Sequence, residues 1–548
     1  MTSTPSAGTL DQAATTRIGQ IEKAVRGDLP KAMKMAERAK ADGLRAPIVH
    51  HLVGLQLKDE GRYEDAVVEL GLGLELAPNH PGLMTTVGFC LLELDRRQEA
   101  AQVFEQAMRL DPTSADAVFG YGWAAERLGV LPSAESAFRR AIELHNAHAD
   151  ALAGLAGLAL RRRDWKAARD LSRRSIAASK SQTDGLMNLA RADIGEGDFN
   201  SAITQLDLVL ALPGLGGLAR ANSHILRGDA LDGLKRFEEA FEEYSRGKNH
   251  LGRIYSGKFG IGGRPRSPDV VREMLAEFAQ TPVSSWASAR TASVASPAFG
   301  HAFLMGFPRS GTTLLEQIIA THPDMCALGE RPVMIDAETE FVSGPGGITR
   351  LAAIMPDHLE SYRQAYWRRV KSFGVEVAGK VFVDKHPLST MRVPLMFKMF
   401  PQAKIVFALR DPRDVVLSCF RRSFNMNANM YEFNSIEGAA RFYDAVMTAG
   451  EAYLERLPIA VHRVRLENLI DDFDGVGGAL CAFLGVPWTD SLKDFADNQR
   501  AIATPSGAQI VRGLSAEGVG HWRNYAFAFE SVRDTLAPWV AKFGYPPE

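Results

Sequence analysis

The sequence has few cysteines, and they are far apart. The four, Cys90, Cys326, Cys419 and Cys481, form no C-x-x-C pair. This distribution argues against a disulfide scaffold and against a cysteine-based zinc site, and it favours a reducing compartment. We therefore expect a protein without a metal centre.

Long apolar runs and an excess of one charge are also lacking. No run approaches the ~20 residues that span a bilayer, and residues 1–16 contain neither the basic start nor the apolar stretch of a secretion signal. With 63 basic and 65 acidic residues the net charge is −2 at pH 7, which gives no general attraction to nucleic acid or to anionic membranes. We expect a cytoplasmic protein that binds neither, and 548 residues predict at least two domains.

Small residues recur with a period of 34 in the first half of the chain. One column consists of Ala32, Ala66, Ala100, Ala134, Ala168 and Ala202. Small side chains at this period are the tetratricopeptide-repeat signature, because two antiparallel helices cross closely there. We predict an α-helical superhelix of about seven repeats over residues 14–250. The concave face of such arrays commonly holds peptides, although the array can also serve in self-association.

The period is lost in residues 251–297, which are rich in Gly, Pro, Ser and Arg and are predicted to be a linker. Predicted strands at 303–305, 381–383, 404–409 and 459–465 then alternate with predicted helices at 313–320, 388–400, 412–423 and 467–484. This alternation indicates an α/β domain over residues 298–548 with a central parallel sheet. Ligands of such domains bind beyond the carboxyl ends of the strands.

The first of these strands leads into the segment GFPRSGTT, which starts at Gly306. Its glycines let the backbone approach an anion, and the following helix points its positive end at the same spot. A loop for nucleotide triphosphates needs Lys directly after its second Gly, but Thr312 holds that position and the cation is Arg309. We therefore predict a P-loop-like anion site. Its residues are Arg309, Ser310, Gly311, Thr312 and Thr313.

A second anion site is predicted after the strand 404–409. Asp411 can cap a helix and Pro412 suits its first position, so a helix begins directly after Arg410. Ser418 then lies about two turns into that helix, and Arg422 lies one turn further on the same face. Arg413 and Arg421 are expected at the surface, where Arg413 could also pair with a nearby carboxylate.

These two segments resemble the two signatures of the sulfotransferase family, most closely in its tyrosylprotein sulfotransferase branch. The resemblance implies that the first loop binds the 5′-phosphosulfate of 3′-phosphoadenosine 5′-phosphosulfate (PAPS), and that Arg410 and Ser418 bind its 3′-phosphate. It also implies that Glu330 is the general base and that Lys385, in the K-x-P segment Lys385-His-Pro, stabilises charge on the sulfuryl group and the leaving phosphate. Ser506 matches a nucleotide-contacting serine of the branch.

The residues themselves leave alternatives open. Glu330 could pair with the adjacent Arg331, Lys385 could lie in water at a strand end, and His386 is a rival base. The predicted activity is sulfuryl transfer from PAPS to an acceptor hydroxyl, such as a protein tyrosine. The alternatives are a carbohydrate or small-molecule acceptor, a P-loop kinase, or a non-catalytic scaffold. The repeats favour a polypeptide acceptor held in their groove.

Overall fold

The structure, a computed structural model, describes residues 12–260, 262, 265–286, 296–497, 516 and 518–547. The chain divides into two compact units, Met1–Pro213 and Gly214–Glu548. Ser506 lies outside the described residues. Within the described part of the chain, no helix is both long and apolar enough to cross a membrane. All four cysteines are buried free thiols.

The first unit consists of antiparallel helix pairs. Its helices are α1 (Gln12–Val25), α2 (Leu29–Ala41), α3 (Pro47–Asp59), α4 (Tyr63–Leu76), α5 (Pro81–Glu93), α6 (Arg97–Leu110), α7 (Ala115–Leu128), α8 (Leu131–Leu144), α9 (Ala149–Arg161), α10 (Trp165–Ala178), α11 (Thr183–Glu196) and α12 (Phe199–Leu210). All six alanines of the 34-residue column are fully buried. A Cβ added at Gly88 would come within 2.6 Å of the Phe104 ring, so the small residues lie where helices cross most closely. The prediction of an α-helical repeat array is confirmed, whereas its bounds at residues 14–250 stay a prediction.

One cavity of about 790 Å³ lies in this unit. Its lining includes the aromatic side chains of Tyr63, Phe89, Phe119 and Trp123 and the carboxylates of Glu93, Asp116, Glu126, Asp150 and Asp184. Burial raises the pKa of Asp150, and the charges of Asp184 and Asp116 raise it further, so these three carboxylates lie close together. The groove therefore combines an apolar surface with negative charge.

The second unit starts with the helix pair α13 (Gly217–Gly233) and α14 (Phe237–Phe259), followed by α15 (Ser267–Gln280). The two helices pack as closely as those of the repeats, with a small residue where they cross. A Cβ added at Gly228 would come within 2.6 Å of the Tyr244 ring. It belongs to the second unit through bonds to residues far along the chain. Lys248 of α14, for example, is buried and donates to the carbonyl of Arg422 at 2.7 Å. Burial lowers the pKa of Lys248 to about 7.

A five-stranded parallel sheet forms the centre of the second unit. Its strands are β1 (Gly300–Met305), β2 (Met325–Gly329), β3 (Val381–Lys385), β4 (Lys404–Leu409) and β5 (Val461–Arg465). Their order is β2-β3-β1-β4-β5, with Leu304 of β1 opposite Lys385 of β3. The predicted α/β fold with a central parallel sheet is confirmed. Strand β2 was not predicted from the sequence.

Helices surround this sheet. They are α16 (Thr312–Thr321), α17 (Ile335–Phe341), α18 (Gly347–Ala353), α19 (Glu360–Ser372), α20 (Val393–Met399), α21 (Pro412–Arg421), α22 (Ala428–Tyr431), α23 (Ile436–Arg456), α24 (Leu466–Asp471), α25 (Phe473–Leu484) and α26 (Arg533–Lys542). The helix predicted over 388–400 is instead a 3-10 turn, Pro387–Arg392, followed by α20. The helix predicted over 467–484 is interrupted at Asp472, whose side chain caps α25 by accepting from Gly475 N.

Candidate active site

The first predicted loop connects β1 to α16 with a backbone that needs its glycines. Gly306 passes so close to β4 that an added Cβ would come within 2.5 Å of the Ala408 carbonyl oxygen. Gly311 precedes α16 with a φ of 91°, in the left-handed region that glycine tolerates. Arg309 adopts a φ of 73°, which is uncommon for a side-chain-bearing residue. This backbone leads directly to the N-terminus of α16, where Thr312 and Thr313 are buried.

The structure brings the two predicted anion sites together at the carboxyl ends of neighbouring strands β1 and β4. Arg309 Nε donates to Ser418 Oγ of α21 at 2.9 Å. Arg410 donates through one terminal nitrogen to the Arg309 carbonyl at 3.3 Å. Its Nε is buried and has no hydrogen-bond partner within the described residues. Arg309, Ser418 and Arg410 therefore form one hydrogen-bonded cluster.

This cluster is rich in positive charge. Burial, followed by the charges of Arg422 and Arg410, lowers the pKa of Arg309 to about 9. A guanidinium loses basicity to this extent when it is desolvated beside other cations. An anion bound beside the cluster would relieve that repulsion. The electrostatics therefore favour anion binding here.

The structure corrects the predicted placement of three arginines. Helix α21 ends at Arg421, so Arg422 lies beyond the helix, where one of its terminal nitrogens is 3.4 Å from Asp229 Oδ2. Arg413 is buried instead of exposed. It pairs with Asp411, which confirms the alternative of a nearby carboxylate partner, and it stacks 3.8 Å from the centre of the Trp522 ring. Arg421 is 13% exposed and binds Asp232.

The C-terminal segment closes over Arg410. The second terminal nitrogen of Arg410 donates to the Gly518 carbonyl at 2.6 Å. Asp414 of α21 accepts from the backbone nitrogens of Gly520 at 2.6 Å and Trp522 at 2.9 Å. These bonds fix the tail, which is the segment from Gly518 onward, against the helix that carries Ser418.

Two other predicted residues meet at the ends of β2 and β3. Lys385, the last residue of β3, is fully buried, and its Nζ lies 2.6 Å from Glu330 Oε1. Glu330 directly follows β2 with a φ of 41°, and its N–H donates to the Lys385 carbonyl at 2.7 Å. Lys385 Nζ also lies 3.0 Å from Glu316 Oε2. Arg331 stacks on Phe373 at 5.3 Å.

Comparison with known proteins agrees with this geometry. Residues 302–490 match the model of the sulfotransferase family, and residues 91–145 match that of the tetratricopeptide repeat. Residues 302–490 are therefore similar to the sulfotransferase family, and they follow a segment that is similar to tetratricopeptide repeats.

Individual proteins match parts of this chain. An uncharacterized protein of Aquifex aeolicus is 27% identical over 44% of this chain and 33% of its own length. Protein-tyrosine sulfotransferase 1 of Danio rerio is 24% identical over 45% of this chain and 72% of its own length. A solved tetratricopeptide-repeat protein from Parabacteroides merdae aligns with 44% of this chain and 94% of its own, at 17% identity and a TM-score of 0.33.

Sequence reasoning missed Glu316 in the sulfotransferase domain. It lies on α16 one turn after Thr312, and that spacing places both residues on one helix face. His386, the rival base, lies directly after β3 with Nδ1 buried. Burial, followed by the charges of Arg392 and Lys385, lowers the pKa of His386 to about 3. Because it binds protons so weakly, His386 is disfavoured as the general base.

A separate buried polar group lies beside the site. Asp384, next to Lys385 on β3, accepts from the Tyr366 hydroxyl at 2.9 Å, and that hydroxyl lies 3.0 Å from His301 Nε2. Burial is the main cause that raises the pKa of Asp384 to about 7, and burial lowers the pKa of His301 to about 3. Stability should therefore depend on pH through this group.

Replacing Asp384 with asparagine is expected to stabilise the protein at pH 8 by about 2–4 kcal/mol and to change little at pH 4. The folded carboxyl titrates near 7 and the unfolded one near 4, so wild-type stability falls as the pH rises through that window. The asparagine amide does not titrate, so the variant does not lose this stability as the pH rises. In both proteins, His301 lowers the stability as the pH falls below about 6, because burial lowers its pKa in the folded state. Thermal unfolding at the two pH values measures the difference, and an equal effect at both would contradict it.

Proposed function

We propose that this protein transfers a sulfuryl group from PAPS to an acceptor hydroxyl. The observation that carries the proposal is the cation-rich cluster that Arg309, Ser418 and Arg410 form beyond the ends of β1 and β4. The match of residues 302–490 to the sulfotransferase family supports the same chemistry. A cytoplasmic location stays a prediction.

The residues fit a nucleotide that carries anionic groups at both ends. The loop at Arg309–Thr313 offers backbone N–H groups and buried hydroxyls for the phosphosulfate end. Arg410 has a buried Nε that could donate to the 3′-phosphate beside Ser418. Arg422 lies near enough to lower the pKa of Arg309, and it would add positive charge once separated from Asp229.

In the proposed reaction, bound PAPS supplies the sulfuryl group and a phosphate leaving group. The acceptor oxygen forms a bond to sulfur while the bond from sulfur to the bridging oxygen breaks, and the electron pair stays on the 5′-phosphate. Glu330 takes the proton of the acceptor hydroxyl. Arg309 and Lys385 offset the negative charge that develops on the leaving group, so positioning and electrostatics supply most of the rate enhancement.

We further propose that the acceptor is a polypeptide with a tyrosyl hydroxyl. Support comes from the resemblance to protein-tyrosine sulfotransferases and from the repeats, whose structural class binds polypeptides. The groove of the first unit would hold a segment of the acceptor. Its five carboxylates and aromatic side chains favour a segment with basic and apolar residues.

Calorimetry with 3′,5′-adenosine bisphosphate and with ATP tests the nucleotide assignment. Wild type is expected to bind the bisphosphate and to prefer it to ATP, which lacks a 3′-phosphate. Arg410→Ala is expected to weaken binding of the bisphosphate by about 10–100-fold, because a charge-assisted hydrogen-bond donor is lost. ATP affinity should change little.

The matched control is Arg441→Ala, which removes an exposed arginine on α23 of the same unit. It is expected to leave both affinities unchanged. Tight ATP binding that is insensitive to Arg410→Ala would favour a P-loop kinase instead. Transfer of radiolabelled sulfate from PAPS to tyrosine-containing peptides, compared with saccharides, then identifies the acceptor class.

A further inference from the structure

Lys385 contacts two carboxylates, those of Glu330 and Glu316. The proposed reaction gives a role to Glu330 but none to Glu316. Its Nζ lies 2.6 Å from Glu330 Oε1 and 3.0 Å from Glu316 Oε2. The side chain of Glu330 is 41% exposed, whereas that of Glu316 is 14% exposed and that of Lys385 only 1%. Glu330 therefore faces the side from which an acceptor can approach, and Glu316 holds the same ammonium from the protein interior.

The absence of a side chain at Gly329 leaves room for the Glu316 carboxylate. A Cβ added at Gly329 would overlap Glu316 Oε1, so a larger residue at the end of β2 would displace this carboxylate. Gly329 is also the residue paired with Lys385 across β2 and β3. Glu316 itself is on α16, which starts at the anion-binding loop. The ion pair is thus fixed by two rigid elements.

We propose that Glu316 is a positioning residue that shares the Lys385 ammonium with Glu330, an inference that rests on the proposed function. If Lys385 were paired with Glu330 alone, its ammonium would stabilise the carboxylate form of Glu330 fully. Glu330 would then be a weaker base. With Glu316 present, the charge of Lys385 is divided between two carboxylates. Glu330 then keeps its ability to accept the proton of the hydroxyl.

The same arrangement keeps Lys385 in place during the reaction. When Glu330 accepts a proton it loses its charge, and its attraction to the ammonium weakens. Glu316, whose Oε2 lies 3.0 Å from the ammonium, still holds Lys385 at the end of β3. The lysine therefore stays directed at the leaving phosphate throughout proton transfer.

Glu316→Gln tests this role with two readouts. Because one negative charge beside the anion site is lost, calorimetry is expected to show about fivefold tighter binding of 3′,5′-adenosine bisphosphate. With PAPS and a tyrosine-containing peptide, kcat is expected to fall about tenfold, and the acid limb of the pH–rate profile is expected to move about one unit lower. A merely structural role would produce neither the tighter binding nor the shifted limb.

Two further variants complete the experiment. Gly329→Ala, which displaces the Glu316 carboxylate without removing its charge, is expected to lower kcat as well. Glu338→Gln is the matched control, because Glu338 is also 14% exposed and ion-paired, with Arg392 at 2.6 Å. The control should leave nucleotide affinity and the acid limb as in wild type.

The outcomes separate this inference from the proposed function. If wild type binds no bisphosphate and transfers no sulfate, the proposed function fails and the inference falls with it. If wild type does both and Glu316→Gln leaves affinity, kcat and the acid limb unchanged, the inference alone is overturned. Weaker bisphosphate binding in Glu316→Gln, with a lowered melting temperature, would also overturn it.

Discussion

Lys385→Met is expected to lower kcat by about 10²–10³, the range for removing one preorganised group that stabilises developing charge. The methionine side chain keeps most of the volume and the apolar stem of lysine, but it cannot offset charge on the leaving phosphate. It also leaves Glu316 and Glu330 facing each other without the ammonium that now lies 3.0 Å and 2.6 Å from them. Steady-state kinetics with PAPS and a tyrosine-containing peptide measure the loss.

The binding of nucleotide should change in the same variant. Two carboxylates without their shared cation repel an incoming anion, so affinity for 3′,5′-adenosine bisphosphate is expected to fall about tenfold. Lys398→Met is the matched control, since Lys398 is also buried but donates to the backbone carbonyl of Ala352. It should reduce stability without a comparable loss of kcat per folded molecule. Equal kcat losses in both variants would assign the Lys385 effect to folding.

The repeats and the loops could be predicted because their signals are local. A 34-residue period and a Gly-rich turn between an apolar strand and a helix both lie within short segments of sequence. Helix α21 likewise starts at Pro412 as predicted, because Asp411 caps it by accepting from the Arg413 N–H. These local rules also placed Arg309 and Arg410 at neighbouring strand ends.

The features that were missed depend on short elements or on distant partners. Strand β2 has five residues, Met-Cys-Ala-Leu-Gly, and no β-branched residue to indicate it. Arg413 and Arg421 looked like surface residues because the partners that bury them lie elsewhere in the chain. Arg413 stacks on Trp522 of the tail, and Arg421 pairs with Asp232, which is 189 positions away. Periodicity carries no information about such contacts.

The contacts of Asp232 explain why the helix pair α13–α14 belongs to the second unit. Its carboxylate accepts from Arg421 at 2.6 Å, from His521 Nε2 at 2.9 Å and from the Tyr525 hydroxyl at 2.5 Å. It therefore joins the helix pair to α21, which carries Ser418, and to the tail that covers Arg410. Burial would raise the pKa of Asp232, but the donors and the charge of Arg421 outweigh it and lower that pKa to about 2.

Asp232→Asn is expected to destabilise the second unit by about 3–5 kcal/mol at pH 7, because it leaves the buried Arg421 guanidinium without its main counter-charge. Asp229, 3.8 Å from Arg421, compensates only in part. Nucleotide affinity should fall as well, since α21 loses its anchor. Urea denaturation measures the free energy of unfolding, with the exposed Asp494→Asn as the matched control.

The pH dependence of that loss has a definite sign. Because the folded pKa of Asp232 lies near 2 and the unfolded value near 4, wild type gains this stability above about pH 4 and loses it as the pH falls towards 2. The difference between wild type and Asp232→Asn should therefore shrink across that window. Arg421→Met added to Asp232→Asn should restore part of the stability, because the uncompensated buried cation is removed. A double variant less stable than Asp232→Asn would show that the arginine stabilises the unit through contacts other than this carboxylate.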